Sequence, residues 1–461
     1  MRKLCFLTVA AALLLIQAGC RVHLSRSSNS WSDADLPAVT NIVETAAIPS
    51  NLTDLDVDNT FGGVRVTGTE TGPMRWTWKL TLRARTEAEL QQMTADITCR
   101  TNLTGGRLGL AVTIPNLTQP HSIQSDFEIT VPKTASARTQ TRFGPTEIAQ
   151  LSGNVDAFGQ NGRVGIYQIA GRVKAETSFD SLNVSDTGPA VLKNQNGEIQ
   201  AIRIGGSLDA GTSFASLLAQ DIGGPAALVN QNGGVRAAGI TGALGVRTSF
   251  DSISAQDIHG AASLTNQNGR VQANNIGGPL EVRTSFDSVT ARDIAGRVFV
   301  RDQNGRVEVV RARGDADIRT SFDKLSVDGI EGRAILENQN GEIEAGGVTG
   351  AVKAGTSFAS INIKGAGPEF ICHNQNGAIR LHSTSTNITN IEAATSFDTI
   401  EVHLPAGLKP ALVAHTSFGD IESDYPVIMK VPSQNAFADA DPAALHAILQ
   451  NQNGNIRVRR D

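Results

Sequence analysis

Six aspartates in the middle of this 461-residue chain recur at a spacing that could support chemistry. They form two series, each with a spacing of 36 residues: Asp251, Asp287 and Asp323, and Asp221, Asp257 and Asp293. Carboxylates gathered on one face of a protein can bind calcium, or act as the acid and base that cleave a polysaccharide. In a fold of stacked strands, neighbours within a series would lie about 9–10 Å apart. This distance exceeds the ~5–5.5 Å of a retaining carboxylate pair and lies near the upper end of the inverting range.

The regularity of both series favours a charged, solvated face over an active site. An active site interrupts its repeat at one place, whereas these series continue unchanged. Arg270, Arg283 and Arg306 occupy nearby positions, and we predict that they pair with the aspartates across layers. We therefore expect no catalytic residues and a protein that is not an enzyme. Cleavage of a polysaccharide, as a lyase or hydrolase that uses the aspartates, is the alternative.

The other reactive residues form no recognisable catalytic or metal-binding motif. The four cysteines show neither a Cys-x-x-Cys pair nor a zinc-ligand spacing. The scattered histidines fit no triad order, so we expect them to be solvated or packed. Glycine-rich stretches are not followed by the Gly-Lys-Ser/Thr of a phosphate-binding loop. The sequence predicts no cofactor and no metal. The mild net charge of −5, without a useful basic run, predicts no nucleic-acid partner.

The elements that position these residues are defined by two alternating phrases. Thr-Ser-Phe begins at Thr177, Thr212, Thr248, Thr284, Thr320 and Thr356. Asn-Gln-Asn-Gly begins at Asn194, Asn230, Asn266, Asp302 (with Asp for the first Asn), Asn338 and Asn374. The second phrase returns every 36 residues, and the first precedes it by 18 residues, apart from a one-residue deletion after Thr177. A fixed period of this kind indicates stacked repeats.

The repeating unit of 18 residues, here called a rung and numbered from the Thr or first Asn of its phrase, predicts β-strands. Positions 6 and 8 are apolar in every unit from Thr177 to Ala394, and positions 15 and 17 mostly are. Alternation by two is the strand period, and its phase changes predict three short strands and three turns per rung. Stacked at ~4.8 Å, such rungs close a continuous core. We predict an all-β, parallel β-solenoid of about sixteen rungs between Thr141 and Tyr425, with capping ends.

Position 3 alternates between phenylalanine and asparagine along the repeat. The residues concerned include Phe250, Asn268, Phe286, Asn304, Phe322 and Asn340. We expect the phenylalanines to fill the interior, and the asparagine amides to turn inward as a structural ladder that bonds neighbouring turns. The alternative is an exposed stripe of aromatic rings and amides that binds a glycan. Cys372 falls at inward position 17, so we expect a buried, inert thiol; a Cys99–Cys372 disulfide would need the N-terminal cap to fold back over the rod.

The chain divides into five segments. Residues 1–20 resemble a lipoprotein signal peptide, with Arg2 and Lys3 before a short apolar core and with Cys20 as the lipidation site. Residues 21–36 form a Ser-rich tether. Residues 37–140 form a β-rich cap with one short helix, Thr86 to Ile97, which begins in a capping box. Residues 141–425 form the solenoid. Residues 426–461 form the far cap, with a short helix from Ala443 to Leu449 after Asp441 and Pro442, and a closing strand at Asn451-Gln452-Asn453-Gly454.

Two further segments carry a resemblance to a known family. Phe-Glu-Ile-Thr-Val-Pro at residues 127–132 and Ile-Glu-Val-His-Leu-Pro at residues 400–405, with rungs ending in short Gly turns between them, resemble the bacterial putative-adhesin family of β-strand repeats. The similarity covers roughly residues 50–425. It implies an exported protein without a known catalytic site, and the function of that family is not established. The strict 36-residue period departs from the family pattern.

The sequence thus predicts an exported protein of a bacterial cell envelope, at the outer membrane or cell surface and held to the membrane by a lipid on Cys20. We expect adhesion, scaffolding, or binding of a glycan or envelope protein along a flat face, through many weak contacts summed by multivalency. A self-assembling structural protein, with its caps removed or swapped, is a third possibility.

Overall fold

The computed structural model describes residues 35–115, 121–430, 434–437 and 445–461. It confirms the predicted fold: about 15 parallel turns stack into a β-solenoid with an 18-residue spacing. Each of these turns of the solenoid is one rung, and each rung contributes one strand to each of two sheets.

The first sheet contains β1 (Ala38–Ala47), β3 (Val64–Thr69), β4 (Arg75–Ala84), β7 (His121–Pro132), β9 (Thr146–Leu151), β11 (Val164–Ile169), β13 (Leu182–Thr187), β15 (Ile199–Ile204), β17 (Leu217–Ile222), β19 (Val235–Ile240), β21 (Ile253–Ile258), β23 (Val271–Ile276), β25 (Val289–Ile294), β27 (Val307–Ala312), β29 (Leu325–Ile330), β31 (Ile343–Val348), β33 (Ile361–Gly365), β35 (Ile379–Ser383), β37 (Ile400–Leu404), β39 (Ile421–Ser423) and β43 (Ile456–Arg460). The second sheet contains β2 (Asp54–Phe61), β5 (Thr98–Thr104), β6 (Arg107–Thr113), β8 (Ser136–Phe143), β10 (Val155–Phe158), β12 (Val173–Thr177), β14 (Ala190–Asn194), β16 (Leu208–Thr212), β18 (Ala226–Asn230), β20 (Leu244–Arg247), β22 (Ala262–Thr265), β24 (Leu280–Arg283), β26 (Val298–Arg301), β28 (Ala316–Thr320), β30 (Ala334–Asn338), β32 (Val352–Gly355), β34 (Glu369–His373), β36 (Asn390–Ala394), β38 (Ala411–Thr416), β40 (Ile428–Lys430), β41 (Gln434–Phe437) and β42 (His446–Gln450). The helix of the N-terminal cap is α1 (Glu87–Asp96).

A rung contains two strands, and the prediction of three was wrong. The phase change between positions 8 and 11 comes from a single residue in the left-handed region, such as Asp257 with φ 54°, which bends a strand without ending it. Positions 2 to 4 form the tight turn that leads from the second sheet back to the first. The predicted third strand therefore has no residues left to form it.

Residues 18 apart stack directly over one another, so side chains form vertical columns. Ile253 of β21 pairs in register with Val271 of β23, and Leu264 of β22 pairs with Val282 of β24. The apolar residues at positions 6, 8, 11, 15 and 17 are almost completely buried along the whole repeat. This continuous apolar interior replaces the separate cores that a chain of this length would otherwise need.

The expected interior position of the phenylalanines was wrong. The side chains of Phe250, Phe286 and Phe322 are 51%, 52% and 59% exposed. The inward-facing residue of the turn is the one at position 1, because the strand period of positions 15 and 17 continues to it. Position 3 then follows the sharp turn of the backbone and faces outward.

The predicted inward ladder at Asn268, Asn304 and Asn340 was wrong for the same reason, since Asn268 is exposed and the other two are half-buried at the surface. The buried polar ladder lies at position 1. Asn266 Nδ2 donates to the backbone oxygens of Asp251 (2.7 Å) and Gly269 (2.8 Å). A tight turn leaves carbonyl groups facing the interior, and these need polar donors that a phenylalanine ring lacks.

The N-terminal cap is built from strands that are interleaved in space. β4 lies antiparallel between β1 and β7, and β7 pairs in parallel with β3. The rung of β2 and β3 lies between the rung of β6 and β7 and the rung of β8 and β9, although β2 and β3 precede all four in the chain. The predicted helix is confirmed as α1. Thr86 caps it by accepting from the Glu89 N–H at 3.2 Å, and Leu90 and Met93 are buried.

The C-terminal segment inserts between two earlier rungs. β42 pairs in parallel with β36 on one side and with β38 on the other, and β43 lies in the same way between β37 and β39. The helix predicted from Ala443 to Leu449 was therefore wrong from His446 onward, where the chain forms strand β42. Pairing on both sides and burial of Ala447 and Leu449 outweigh the local helical preference. Asp441 and Pro442 lie outside the described residues.

The signal peptide, the lipidation site and the tether remain predictions. Residues 1–20, with Cys20, and residues 21–34 of the tether lie outside the described residues. Within the described part of the chain, no helix has the length and apolar character needed to cross a membrane. Cys99 and Cys372 are both free thiols. Cys372 is fully buried, as predicted, and burial raises the pKa of its thiol; burial, with Glu44 nearby, raises the pKa of Cys99 to about 11.

Candidate binding surface: the phenylalanine stripe

One edge of the solenoid carries a row of exposed phenylalanines, which we call the phenylalanine stripe. Its members are Phe143, Phe179, Phe214, Phe250, Phe286, Phe322, Phe358, Phe397 and Phe418. Their exposure ranges from 49% at Phe143 to 83% at Phe418. Isolated exposed apolar residues are ordinary, whereas a regular row of large ones makes this edge a candidate interaction surface.

The stripe has a regular spacing because its members occupy alternate rungs. Neighbouring phenylalanines are therefore about 9–10 Å apart along the rod. The intervening rungs place asparagine at position 3, at Asn161, Asn196, Asn232, Asn268, Asn304, Asn340, Asn376 and Asn453. The amide of Asn268 donates to the backbone oxygen of Ser249 in the preceding rung at 3.1 Å, and its equivalents do the same. Each asparagine side chain is thus held against the backbone in the gap between two successive rings.

The Asn-Gln-Asn-Gly turns keep glycine at position 4 because the turns of neighbouring rungs stack closely. A Cβ atom added at Gly269 would lie 1.9 Å from the backbone oxygen of Asp251 in the rung before it. The Asn-Gln-Asn-Gly turn thus needs glycine at position 4, because the Asp251 carbonyl group of the preceding turn occupies the space that a Cβ atom would take. The two kinds of turn are therefore in close backbone contact wherever they alternate along the rod.

The alternation continues in space where the sequence period is lost. Thr395-Ser396-Phe397 and Thr416-Ser417-Phe418 are separated by 21 residues, and no asparagine phrase lies between them in the chain. The inserted C-terminal rung supplies it. The Asn453 amide donates to the Ser396 backbone oxygen at 3.1 Å, and the Phe418 N–H donates to the Gln452 backbone oxygen at 2.9 Å. Phe397 and Phe418 are therefore two rungs apart, like every other pair in the stripe.

The N-terminal end of the stripe shows what happens when two consecutive rungs carry phenylalanine. Phe61 of β2 pairs in register with Phe143 of β8. Their rings stack with centroids 5.3 Å apart and planes inclined by 9°. One rung of separation is therefore a stacking distance, whereas the two-rung gaps elsewhere in the stripe leave each ring without an aromatic neighbour.

The two aspartate series lie at different places in the rung: position 4 is in the tight turn, and position 10 is at the bend within a strand of the first sheet. At position 4, the Asp251 carboxylate accepts from the Ser252 N–H at 2.6 Å. At position 10, Asp293 accepts from Arg311 at 2.6 and 2.7 Å, and this hydrogen bond is the main reason that the pKa of Asp293 lies below its ordinary value.

The predicted pairing of the aspartates with Arg270, Arg283 and Arg306 was wrong. Residues at one position stack over each other, so the partner of Asp293 is the residue 18 further on; Arg283 pairs with Glu281. The Asp251 carboxylate is therefore engaged within its turn, and the Asp293 carboxylate is engaged in an ion pair with Arg311.

A histidine pair that the sequence patterns did not reveal anchors the end of the chain. Asp461, the last residue, contacts His382 Nε2 at 2.8 Å and His403 Nδ1 at 3.1 Å. Burial alone would lower the pKa of His403, but hydrogen bonds to Asp461 and Glu401 outweigh it and raise that pKa. Only the three-dimensional insertion of β43 brings these residues together, so no sequence motif could have revealed them.

Comparison with known proteins adds little to this geometry. No model of a known protein family matches the chain, and no curated protein matches it. Among solved structures, a crystal structure of a "putative cell adhesion protein" from Clostridium sporogenes aligns with 92% of this chain and 100% of its own, at 8% identity. The TM-score of 0.16 is too low for any argument about shape or function.

Proposed function

We propose that this protein is a non-enzymatic, adhesin-like binding protein of the bacterial cell envelope, which acts through the phenylalanine stripe. The observation that carries the proposal is the row of nine exposed rings at one fixed spacing on a continuous scaffold. The fold leaves these rings exposed to water, where covering each of them would contribute binding energy. Exposed apolar rows of this kind are typical of interaction surfaces.

The mechanism is the addition of many weak contacts. A phenylalanine that is about half exposed leaves roughly 100 Å² in water, and covering it would contribute up to ~2.5 kcal/mol. A single ring cannot overcome the entropy lost on association, but several rings on one backbone share that cost. Strands paired on both sides hold the rings in place before binding, which reduces the cost further.

The location of the protein is part of the same proposal. A signal peptide over residues 1–20, a lipid on Cys20 and the Ser-rich tether over residues 21–36 would hold the rod at the outer membrane or cell surface. A surface-anchored rod has the geometry that adhesion or scaffolding needs, since many copies would present parallel rows of contacts. Its partner would be a glycan or an envelope protein.

The proposal is tested with beads coated with the chain from Arg21 onward, which contains all described residues. Their retention is measured on a glycan array, on peptidoglycan sacculi, on outer-membrane vesicles and on a surface coated with the same protein. We expect retention on at least one surface, with a stepwise decrease as Phe250, Phe286 and Phe322 are replaced by serine one after another.

The matched control is Val43→Ser, because Val43 is exposed on β1 of the N-terminal cap, a strand that carries no member of the stripe. It should leave retention unchanged. Retention on no surface, or retention that the three serine substitutions leave intact, would overturn the proposal. Newly released sugar ends from a bound polysaccharide would support the enzymatic alternative and overturn it as well.

A further inference from the structure

We infer that the phenylalanine stripe binds a second copy of this chain, antiparallel to the first, so that the rings of each copy enter the gaps of the other. The inference rests on the proposed function in taking the stripe as the binding surface, and it names the partner. Its basis is that the stripe is complementary to itself.

The complementarity follows from the two-rung period. Rings lie on every second rung, and the rungs between them carry only the fixed asparagines. Consider a two-fold axis that lies between the two copies, perpendicular to the rod and level with the midpoint between two rungs. This axis reverses the direction of the second copy. It also shifts that copy's rings onto the asparagine rungs of the first. A two-fold axis along the rod would instead set ring against ring at equal heights, with the gaps left empty.

The distance between interleaved rings is suitable for aromatic contact. Rings from the two copies would alternate at about one rung, ~4.8 Å, along the common axis. Aromatic pairs favour centroid distances of about 4.5–7 Å. The molecule already contains this arrangement, since Phe61 and Phe143 on consecutive rungs stack at 5.3 Å. A second copy would extend the same spacing over the whole stripe.

The area is sufficient for a stable dimer. Nine rings that are about half exposed or more present roughly 900 Å² in all. A standard interface covers about 800 Å² on each partner, and its centre is rich in aromatic residues and poor in charged ones. Positions 2 and 3 of the stripe meet this description, because they carry serine, glutamine, phenylalanine and asparagine through the regular repeat.

The aspartates at position 4 predict how such a dimer would respond to salt. Asp180, Asp251, Asp287, Asp323 and Asp398 follow the rings on the side of the first sheet. In the antiparallel arrangement these rows lie on the same side of the interface in both copies. Like charges would then weaken the dimer at low ionic strength, and we expect association to tighten as salt screens them.

Sedimentation equilibrium of the chain from Arg21 at micromolar concentrations, in low and high salt, measures the association. We expect a dimer whose dissociation constant falls as salt rises. The Phe250→Ser, Phe286→Ser, Phe322→Ser triple variant should weaken it by at least about 100-fold, because central aromatic residues dominate interfaces. Val43→Ser should not change it, and circular dichroism checks that each variant is folded.

Cross-linking then tests the direction of the two copies. Asn161 and Asn453 lie in the gaps at opposite ends of the stripe. In the antiparallel dimer, Asn161 of one copy lies about one rung from Asn453 of the other, whereas the two Asn161 residues are on the order of 60 Å apart. In a Cys99→Ala background, which removes the partly exposed thiol, a short bismaleimide should therefore join an Asn161→Cys chain to an Asn453→Cys chain, and neither chain to itself.

The outcomes separate this inference from the proposed function. A monomer at every concentration, a dimer that the triple variant leaves intact, or Asn161→Cys chains that cross-link to each other would overturn the inference. If the protein is monomeric but its stripe retains beads on a glycan surface, the inference fails and the proposed function stands. If the stripe serves neither purpose, both fail.

Discussion

The Gly269→Ala substitution tests how closely the turns of neighbouring rungs are packed, because it adds a single methyl group where two turns meet. Gly269 ends an Asn-Gln-Asn-Gly phrase, and a Cβ there would lie 1.9 Å from the Asp251 oxygen and 2.4 Å from the Asp251 carbonyl carbon. Both atoms belong to the backbone, so no side-chain rotation relieves the overlap. The Gly269→Ala variant must separate two rungs that pair on both sides.

The cost follows from the contacts that would be broken. Overpacking of a rigid interior costs about 1–3 kcal/mol. The shift also stretches the hydrogen bond from Asn266 to the Asp251 oxygen, which contributes about 1 kcal/mol. We expect Gly269→Ala to destabilise the protein by roughly 2–4 kcal/mol, with the loss concentrated in adjacent rungs, because a stacked repeat transmits strain chiefly to its neighbours.

The matched control is Gly245→Ala, since no atom lies within 4 Å of a Cβ at that position on the outer face of the second sheet. This variant should be neutral, or slightly more stable because alanine restricts the unfolded chain. Urea unfolding gives the global difference, and hydrogen exchange of the amides around Asp251 gives the local one. Equal stability and equal exchange in the two variants would refute the claim that the turns of neighbouring rungs are packed too closely to admit a Cβ at Gly269.

Three further predictions concern the ladder and the ends. Asn266→Ala should cost about 1–3 kcal/mol in urea unfolding because buried carbonyls lose their donor, whereas Asn268→Ala at the surface should cost less; the reverse order would contradict the position of the ladder. The raised pKa of His403 means that its contacts with Asp461 stabilise the folded state fully below the ordinary histidine pKa. That contribution is lost as pH rises through the raised value, so the protection factors of the β43 amides, corrected for the intrinsic pH dependence of exchange, should fall at higher pH, and Asp461→Asn should reduce that fall. Removal of residues 445–461 takes away the rung between β36 and β38 and should produce aggregation or a shifted rung, visible by light scattering.

The sequence was sufficient to predict the repeat and the columns of apolar residues. The 18-residue period by itself makes Ile253, Val271 and Val289 equivalent, and the pairing of their strands confirms that register. Phe250 was misplaced because burial preference was applied to a residue in a turn. Counting the strand period on from positions 15 and 17 reaches position 1, and this signal would have placed Asn266 inside.

The order of the terminal rungs could not be read from the sequence. The 21-residue spacing from Thr395 to Thr416 looks like a loosened repeat, and the phrase at Asn451 looks like a closing strand beyond it. In the structure the last phrase occupies the place between the other two. Such an insertion depends on pairing between strands that are distant in the chain, for which local pattern contains no signal.

The strongest support for binding by the stripe is that position 3 keeps its phenylalanine while the residue that follows it changes. The residue that follows phenylalanine varies: it is Asp251 after Phe250, Ala215 after Phe214 and Gly419 after Phe418. These turns need no common residue at position 4, yet position 3 carries the same ring in each. Packing fixes where the rings stand, but their exposure means that packing does not require a ring. The C-terminal rung even restores the two-rung spacing of the rings where the sequence has lost it, so this spacing is the same along the whole stripe.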